Sequence, residues 1–454
     1  MSTVLRIKLM EREKSGNPIK VGVIGAGLFG SLTVSQLTKI PGINVSIISD
    51  ILMEKAIRAY EKAGYKDGEI VQVNDPDKAN RYIEKKIPVI TDNNQVLIES
   101  NVDVILEATG NLEAGAKNAY NAIQNRKNIV MATVETDVTV GAILEKMAEE
   151  SDVVYSMAYG DQPALIVELY DWAISSGFKV VAAGEGTAAR LEWRHATPDD
   201  ALQRFGFSQR EIERLRLNPK IHNTFLDTTK CAVEMVAVCN ATGLKPDVRG
   251  MHFSLGGIRD VPKLLSLRKD GGILENEGIV DVITRVRRDG RKIRNDIRWG
   301  VFVVVTTEDQ NVMNLLKTGW GGCPIGGKGK NVLVFRPYHW AGLEASISLI
   351  RAALYKEPTG APLPQAPAAE VVAAAKKTLK PGDILDGEGG YTAYGLAEKA
   401  EIAREENLIP FGLAENIRVK RKISRDCVIT YDDVELDERF FLLKLRRMQD
   451  SIFN

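Results

Sequence analysis

The sequence is short of the residues that mark secreted, zinc-binding or nucleic-acid-binding proteins. Four of its 454 residues are cysteine, and no two of them form a CxxC pair. Such a set builds neither a disulfide framework nor a cysteine-based zinc site, so we expect a reduced compartment. Sixty basic residues balance sixty acidic ones, which gives a formal net charge of zero. This balance argues against broad electrostatic attraction to nucleic acid or to an anionic membrane.

Long uninterrupted apolar runs are missing too. No stretch approaches the roughly 18 apolar residues of a membrane-spanning helix, and the first twenty residues lack the apolar centre of a signal peptide. Apolar residues nevertheless make up 44% of the chain, as in ordinary globular proteins. We therefore expect a cytoplasmic protein of about three domains, without a nucleic-acid or membrane partner.

A glycine-rich turn follows the first β-branched run, residues 19–24. A helical pattern and a second strand, 44–49, come next, and Asp50 follows that strand directly. In this order the glycines allow a tight turn, the approach of a pyrophosphate, and close packing of the helix on the strand. The helix N-terminus then offers its N–H groups to the phosphates. The pattern predicts a Rossmann-type dinucleotide-binding domain, with cofactor contacts from Gly25, Gly27, Leu28, Phe29, Gly30 and Asp50.

The choice between NAD and NADP depends on the surroundings of Asp50. An acid at this position bonds the ribose hydroxyls of NAD and repels the 2′-phosphate of NADP. Ile51 and Leu52 follow it rather than an arginine, which favours NAD, whereas Arg58 and Lys62 on the next helix could accept a phosphate. The sequence leaves both open, and we carry NADP as the first candidate and NAD as the second.

Strands and helices continue to alternate as far as about residue 184. The run 102–110 is typical of a buried parallel strand, and 128–133 and 178–184 predict two more. Each polar turn after such a strand is, taken alone, an ordinary turn with a helix cap. Ligands gather at the carboxyl ends of parallel strands, however, so several such turns predict a binding edge. We assign Ala108, Thr109, Gly110 and Glu135 to the cofactor, and Asp161 and Glu185 to the substrate.

The segment 225–243 predicts a largely apolar helix with three charged residues. Asp227, Lys230 and Glu234 recur at spacings of three and four, which places them on one helix face. They form either a solvated ion-pair ladder or a polar pocket inside the protein. In the second case Lys230, held between two acids, would exchange a proton with a substrate oxygen.

Arg336 and His339 lie close together in the segment 335–344. The arginine suits a phosphate or a carboxylate, and the histidine is either a catalytic group or a packed or capping residue. We include both among the candidate catalytic residues.

The chain is expected to form three domains. Residues 1–190 form the α/β dinucleotide-binding domain, and residues 191–360 form an α+β catalytic and oligomerisation domain. Three prolines within 359–370 indicate a linker. Residues 361–454 then show short alternating segments, which predict a small β-rich domain.

Seven segments in chain order resemble a bacterial family related to homoserine dehydrogenase, whose members carry a C-terminal SAF-like domain. They are GAGLFG, EATGN, YGDQP, GEGT, FLDTTK, FRPYHWAGLE and LKPGDILDGEGGYT. The best characterised activity there belongs to 1-deoxy-D-xylulose 5-phosphate reductoisomerase-like enzymes. At residues 132–135 the chain reads ATVE, where homoserine dehydrogenases usually carry an asparagine-lysine pair, which argues against homoserine as substrate.

The resemblance implies an NAD(P)H-dependent oxidoreductase acting on a CH–OH group of a small phosphorylated substrate. The reaction would isomerise and reduce 1-deoxy-D-xylulose 5-phosphate to 2-C-methyl-D-erythritol 4-phosphate, a step of isoprenoid precursor synthesis. A Mg²⁺ or Mn²⁺ ion would be held with help from Asp227 or Glu234, and we expect a homo-oligomer. Two alternatives remain: a dehydrogenase of another small polyol, sugar acid or hydroxy acid without isomerisation, and a cofactor-sensing binding protein without turnover.

Overall fold

The computed structural model describes residues 4–66, 68–215, 217–319 and 322–453. Within these ranges the chain divides into two compact units, each made of segments that are distant in sequence. Unit 1 comprises Met1–Ala164, Trp340–Gln365 and Phe440–Asn454. Unit 2 comprises Leu165–His339 and Ala366–Arg439.

The strands, numbered along the chain, are β1 (Ile19–Ile24), β2 (Ile43–Ser49), β3 (Val71–Gln72), β4 (Val89–Thr91), β5 (Val104–Glu107), β6 (Asn128–Met131), β7 (Tyr155–Met157), β8 (Lys179–Thr187), β9 (Lys245–Pro246), β10 (Ser254–Leu255), β11 (Ile279–Thr284), β12 (Val301–Thr306), β13 (Ile325–Gly326), β14 (Asn331–Arg336), β15 (Ala369–Ala375), β16 (Ile384–Asp386), β17 (Ala393–Lys399), β18 (Glu415–Val419) and β19 (Val434–Glu435).

The α-helices are α1 (Val4–Lys14), α2 (Leu28–Leu37), α3 (Met53–Lys62), α4 (Pro76–Glu84), α5 (Asn94–Glu99), α6 (Leu112–Gln124), α7 (Val134–Glu150), α8 (Gln162–Ser175), α9 (Pro198–Phe205), α10 (Gln209–Leu215), α11 (Pro219–Thr224), α12 (Thr229–Thr242), α13 (Val261–Leu264), α14 (Gln310–Lys317), α15 (Ser346–Tyr355), α16 (Ala400–Glu405) and α17 (Phe441–Phe453).

Unit 1 is built on a parallel sheet. In the described part of the chain its strands follow the order β3-β4-β2-β1-β5-β6-β7, and every neighbouring pair runs parallel. From β1 the chain first adds β2, β3 and β4 on one side and then β5, β6 and β7 on the other. At such a switch point the carboxyl ends of the two central strands, here β1 and β5, form a ligand-binding crevice. The predicted α/β fold with a Rossmann-type sheet is therefore confirmed.

The core of unit 1 forms because its strands are almost wholly apolar. Val21 and Val23 of β1 and Val104 of β5 are fully buried, and Leu349 of α15 belongs to the same apolar cluster. Three helices of this unit, α4, α5 and α6, begin after a side chain that accepts a backbone N–H, as Asn111 does for Ala114 at 2.8 Å before α6. The glycine-rich turn thereby sits on a rigid layer of strands and helices.

Unit 2 contains a mixed sheet and two smaller antiparallel ones. Among the described residues the mixed sheet follows the order β10-β11-β8-β12-β14-β13, with β9 also paired to β11. β8 runs parallel to β11 and antiparallel to β12. Near the end of the chain β15 pairs with β17, and β18 pairs with β16 and β19. Helix α12 packs against β11, β15 and β17.

The structure divides the chain at other positions than those we predicted. β8, expected to end the first domain (1–190), pairs inside the mixed sheet of unit 2. Residues 340–365, expected in the second domain (191–360), belong to unit 1, because α15 packs on β5 and β6. The last fifteen residues leave the predicted β-rich segment (361–454), since α17 packs against α6 and α7.

None of the described helices has the length and apolar character needed to span a bilayer.

Candidate active site

The glycine-rich turn of unit 1 has two positions where no side chain fits. A Cβ on Gly25 would lie 2.5 Å from the carbonyl oxygen of Ala108, and the φ of Gly25 is +95°. A Cβ on Gly30 would lie 1.9 Å from the carbonyl oxygen of Gly25. These two glycines are therefore required by the fold itself.

Gly27 differs from Gly25 and Gly30. Its φ is −66°, which any residue adopts, and a Cβ built on it meets no atom within 4 Å. The structure gives no packing reason for glycine here. The open space lies at the N-terminus of α2, where a pyrophosphate would need close access to the backbone, so the residues present fit a dinucleotide. Leu28 beside it is 80% exposed, whereas Phe29 packs against the apolar core.

Asp50 connects the glycine turn to the end of β2. Its Oδ2 accepts the N–H of Ala26 at 2.8 Å, and its Oδ1 accepts the N–H of Leu52 at 2.8 Å. A carboxylate has about four acceptor sites, so these bonds leave room for a ribose hydroxyl. The side chain of Ile51, next in sequence, is 83% exposed.

A buried carboxylate that the sequence reasoning missed supports the turn after β5. Glu107 is fully buried, and its Oε1 accepts the N–H of Thr109 at 3.1 Å and the hydroxyl of the same residue. Its Oε2 accepts the hydroxyl of Thr133 at 2.5 Å, and Thr133 Oγ1 accepts the N–H of Gly110 at 3.2 Å. Burial raises the pKa of Glu107, and the hydrogen bonds from the two threonines oppose that shift. The sequence signal that could have identified Glu107 is an acid at the end of β5, whose other three residues are apolar.

Two further residues predicted for this edge also fall in unit 1. Glu135 lies in the first turn of α7, and Asp161 immediately precedes α8, where its Oδ1 lies 3.2 Å from the N–H of Gln162. Both are half-buried and follow β6 and β7. Asp161, predicted to be catalytic, thus shares a unit with the cofactor candidates, whereas Glu185 lies in unit 2.

The prediction that Asp227 shares a helix face with Lys230 and Glu234 is wrong. Thr228 has a φ of +72°, so the chain leaves helical geometry and α12 begins only at Thr229. Asp227 therefore precedes the helix, where its Oδ1 accepts the N–H of Thr229 at 3.0 Å.

The partner of Asp227 is Lys376 rather than Lys230. The ammonium of Lys376 lies 2.6 Å from Asp227 Oδ2, and both side chains are buried. Lys376 also donates to the carbonyl oxygens of Ala196 and Gly390, at 3.0 and 2.6 Å. Burial raises the pKa of Asp227, while the ammonium opposes that shift. All three protons of the ammonium have acceptors, which makes this a structural pair.

In unit 2 Glu234 lies beside Lys230, and both Glu234 and Glu185 lie near the thiol of Cys231. Lys230 Nζ lies 4.0 Å from Glu234 Oε1, with side chains 15% and 3% exposed. Between the helix and β8, Cys231 Sγ lies 3.5 Å from Thr187 Oγ1. Burial raises the pKa of the Cys231 thiol, and the nearby carboxylates of Glu185 and Glu234 raise it further. The group occupies a buried polar region rather than a solvated helix face.

Arg336 and His339 lie at the same edge of the mixed sheet as Glu185. Val301 on β12 pairs with Glu185 on one side and with Arg336 on the other. His339 Nδ1–H donates to the carbonyl oxygen of Trp299 at 2.9 Å. The catalytic roles of these residues remain predictions, but the structure brings them to one edge.

The predicted metal donors do not form a metal site. Asp227 is engaged by Lys376, and Glu234 lies beside the Lys230 ammonium. Across the described ranges no group of three or more His, Cys, Asp or Glu residues has the geometry to hold a metal ion.

The middle of the chain matches a known family model. Residues 160–345 match the model described as "Oxidoreductase DRL, catalytic domain", and this segment contains Glu185, Lys230, Glu234, Arg336 and His339. No match was found among curated proteins.

Solved structures resemble the chain at low sequence identity. GenD2 from gentamicin A biosynthesis, in complex with NAD, is 12% identical over 75% of this chain and 88% of that chain, with a TM-score of 0.37. A probable dehydrogenase from Thermotoga maritima is 13% identical over 75% and 90%, with a TM-score of 0.39. The 1-deoxy-D-xylulose 5-phosphate reductoisomerase from Zymomonas mobilis, in complex with NADPH, is 12% identical over 75% and 82%, with a TM-score of 0.38.

The family match and the dinucleotide-binding geometry of unit 1 confirm the prediction of an NAD(P)-dependent oxidoreductase.

Proposed function

We propose that this chain is an NAD(P)H-dependent reductase of a small phosphorylated keto sugar, of the 1-deoxy-D-xylulose 5-phosphate reductoisomerase-like type. The observation that carries the proposal is the group formed by Lys230, Glu234 and Glu185. This group lies within the segment that matches an oxidoreductase catalytic domain. The resemblance of the seven sequence segments supports the choice of substrate.

In this proposal Lys230 supplies the proton that carbonyl reduction requires. The nicotinamide, when bound, provides the hydride. Hydride addition turns the carbonyl oxygen into an alkoxide, which an ammonium group can protonate at once. Glu234 Oε1 lies 4.0 Å from Lys230 Nζ, so its carboxylate can balance the charge of the ammonium.

The isomerisation step needs a base for a substrate hydroxyl, and Glu185 is our candidate. Glu185 lies two residues before the end of β8 and is 2% exposed. Its carboxylate oxygens can accept the proton of a substrate hydroxyl that lies within hydrogen-bond reach. As this hydroxyl loses its proton and becomes a carbonyl, one carbon–carbon bond of the substrate breaks and another forms at the original carbonyl carbon, whose oxygen takes up the proton; the hydride then reduces the new carbonyl.

One observation favours the simpler alternative, a dehydrogenase that does not isomerise. The resemblance implied a divalent ion held by Asp227 or Glu234, and the structure pairs Asp227 with Lys376 instead. Reduction of a carbonyl by hydride and proton transfer needs only the cofactor and Lys230. The SAF-like nature of residues 361–454 and a homo-oligomeric state remain parts of our proposal, and sedimentation analysis tests the second.

The test is a panel of substrates, in which turnover of each compound is measured as consumption of NADPH or NADH. It contains 1-deoxy-D-xylulose 5-phosphate, other sugar phosphates, and unphosphorylated polyols and sugar acids, each with and without Mg²⁺ or Mn²⁺. Formation of 2-C-methyl-D-erythritol 4-phosphate would support the reductoisomerase. Reduction of another compound with its carbon skeleton intact would support the dehydrogenase. Cofactor binding without turnover of any compound would contradict both and favour a cofactor-sensing protein.

A further inference from the structure

Two arginines meet at the carboxyl edge of β8 and β11 in unit 2, and neither was singled out from the sequence. The N–H of Arg285, directly after β11, donates to the carbonyl oxygen of Thr187 at 3.2 Å. Arg298 forms a β-bridge with Gly186. A Cβ on Gly186 would lie 2.3 Å from the carbonyl oxygen of Ile297, so the backbone that carries Arg298 is held tightly against β8.

The charges of this pair are only partly balanced. Asp296 Oδ2 lies 3.2 Å from Arg285 Nε, and its Oδ1 accepts the backbone N–H of Arg298 at 2.9 Å. The one carboxylate of this group pairs with the guanidinium of Arg285 and also acts on the charge of Arg298, so the three side chains together carry one excess positive charge. Burial lowers the pKa of Arg298, and the nearby Arg285 lowers it further. Retaining two cations in a partly buried place costs stability unless an anion joins them.

Arg298 is also held in a fixed orientation. Its Cζ lies 4.2 Å from the centre of the Trp299 ring, an arrangement in which the guanidinium group stacks on the indole. The backbone of Trp299 is strained, with a φ of +61°, and its side chain is 42% exposed. The Nε of Arg298 is buried and has no hydrogen-bond partner among the described residues. A fixed guanidinium with an unused donor is suited to an oxyanion.

We propose that Arg285 and Arg298 bind the phosphate group of the substrate. This inference rests on the proposed function and adds the residues that would select a phosphorylated compound. A phosphate ester carries a charge of about −1.5 to −2 and three strong acceptor oxygens, enough for two guanidinium groups. A carboxylate has two oxygens, which a single bidentate arginine can occupy. Phosphate is therefore the better match to a pair of arginines.

The test measures ligand binding separately from turnover. Inorganic phosphate, glycerol 3-phosphate and glycerate are titrated into the full chain by calorimetry, with thermal stability as the second readout. The variants are Arg298→Met, Arg298→Lys and Arg285→Lys, since lysine keeps the charge but loses the planar fork. The matched control is Arg291→Met, which removes an exposed arginine paired with Asp289.

We expect the full chain and Arg291→Met to bind glycerol 3-phosphate, and the Arg298 variants to bind it roughly 10- to 100-fold more weakly. Glycerate should bind at least about 10-fold more weakly than glycerol 3-phosphate to the full chain. Equal phosphate affinity in all variants, or glycerate binding as tight as glycerol 3-phosphate, would overturn the inference. Because binding is measured without cofactor, lack of turnover would refute the proposed function while leaving this result intact.

Discussion

Lys376 and Asp227 form a buried ion pair, 2.6 Å between Nζ and Oδ2, across 149 positions of sequence. The pair joins Asp227, two positions before the first residue of α12, to the residue after β15, and α12 carries Lys230 and Glu234. Its effect on the site is therefore indirect: it fixes where the helix begins. Asp227 positions the helix, and its carboxylate is not available to a substrate or a metal ion.

Lys376→Met should lower the free energy of unfolding by about 3–5 kcal/mol, because it leaves the carboxylate of Asp227 buried without a counter-charge. Urea unfolding measures the change. Adding Asp227→Leu should recover a large part of the loss, since a buried pair replaced by apolar residues is often tolerated. If Lys376→Met alone is as stable as the unsubstituted protein, the ion pair does not hold the start of α12.

The glycine turn offers a matched pair of substitutions. Gly27→Ala should fold with nearly unchanged stability, because its Cβ meets nothing, yet should weaken NAD(P)H binding at least about 10-fold by filling the space for the pyrophosphate. Gly30→Ala should lose stability instead, since its Cβ would collide with the carbonyl oxygen of Gly25. Fluorescence titration and thermal melts separate the two effects. Full cofactor affinity in Gly27→Ala would refute the cofactor assignment.

The third prediction concerns Glu107, whose hydrogen bonds hold the turn at Thr109 and Gly110. Glu107→Ala removes the acceptor of two threonine hydroxyls and one backbone N–H, and should weaken nicotinamide cofactor binding about 10-fold. Glu107→Gln keeps one carbonyl oxygen and the side-chain volume, so it should restore most of the affinity. A dissociation constant equal in all three proteins would show that this turn does not contact the cofactor.

The Rossmann-type sheet could be predicted from sequence because its signals are local. A β-branched run, three glycines at fixed spacing and an acid after the next strand are all decided by neighbours along the chain. The same holds for α12, whose apolar residues predicted a buried helix between 225 and 243.

The errors came from pairings between distant segments. The spacing of Asp227 and Lys230 allows a shared helix face, and only the left-handed Thr228 and the remote Lys376 decide otherwise. Arg285 and Arg298 meet because β11 and the approach to β12 both flank β8, which no local pattern reveals. Strand pairing, rather than propensity, places these side chains.

The pH dependence of stability should reflect a buried acid in α7. Asp137 is 1% exposed, its Oδ1 accepts the hydroxyl of Tyr155 at 3.0 Å, and burial raises its pKa to about 7. Burial and the charges of Asp137 and Glu149 raise the pKa of Glu145 to about 8. The folded protein therefore binds more protons than the unfolded chain between about pH 4 and pH 8, so stability falls as the pH rises through that window.

Asp137→Asn should flatten this dependence and stabilise the protein at pH 8 by a few kcal/mol, at about 1.4 kcal/mol per pKa unit. Unfolding by urea at pH 5, 6, 7 and 8 gives the profile. Glu150→Gln, an exposed position on the same helix, is the control and should follow the unsubstituted chain. A profile for Asp137→Asn as steep as that of the control would contradict the assignment.

The most direct test of the central claim is the rate of NAD(P)H-dependent reduction by Lys230→Met, measured on the substrate that the panel identifies. Lys230 Nζ lies 4.0 Å from Glu234 Oε1, and our proposal assigns to it the protonation of the reduced carbonyl oxygen. We predict a folded protein with unchanged cofactor affinity and a kcat at least about 100-fold lower, the usual cost of removing a positioned acid or base. A folded Lys230→Met protein that reduces the substrate at the ordinary rate would contradict the account.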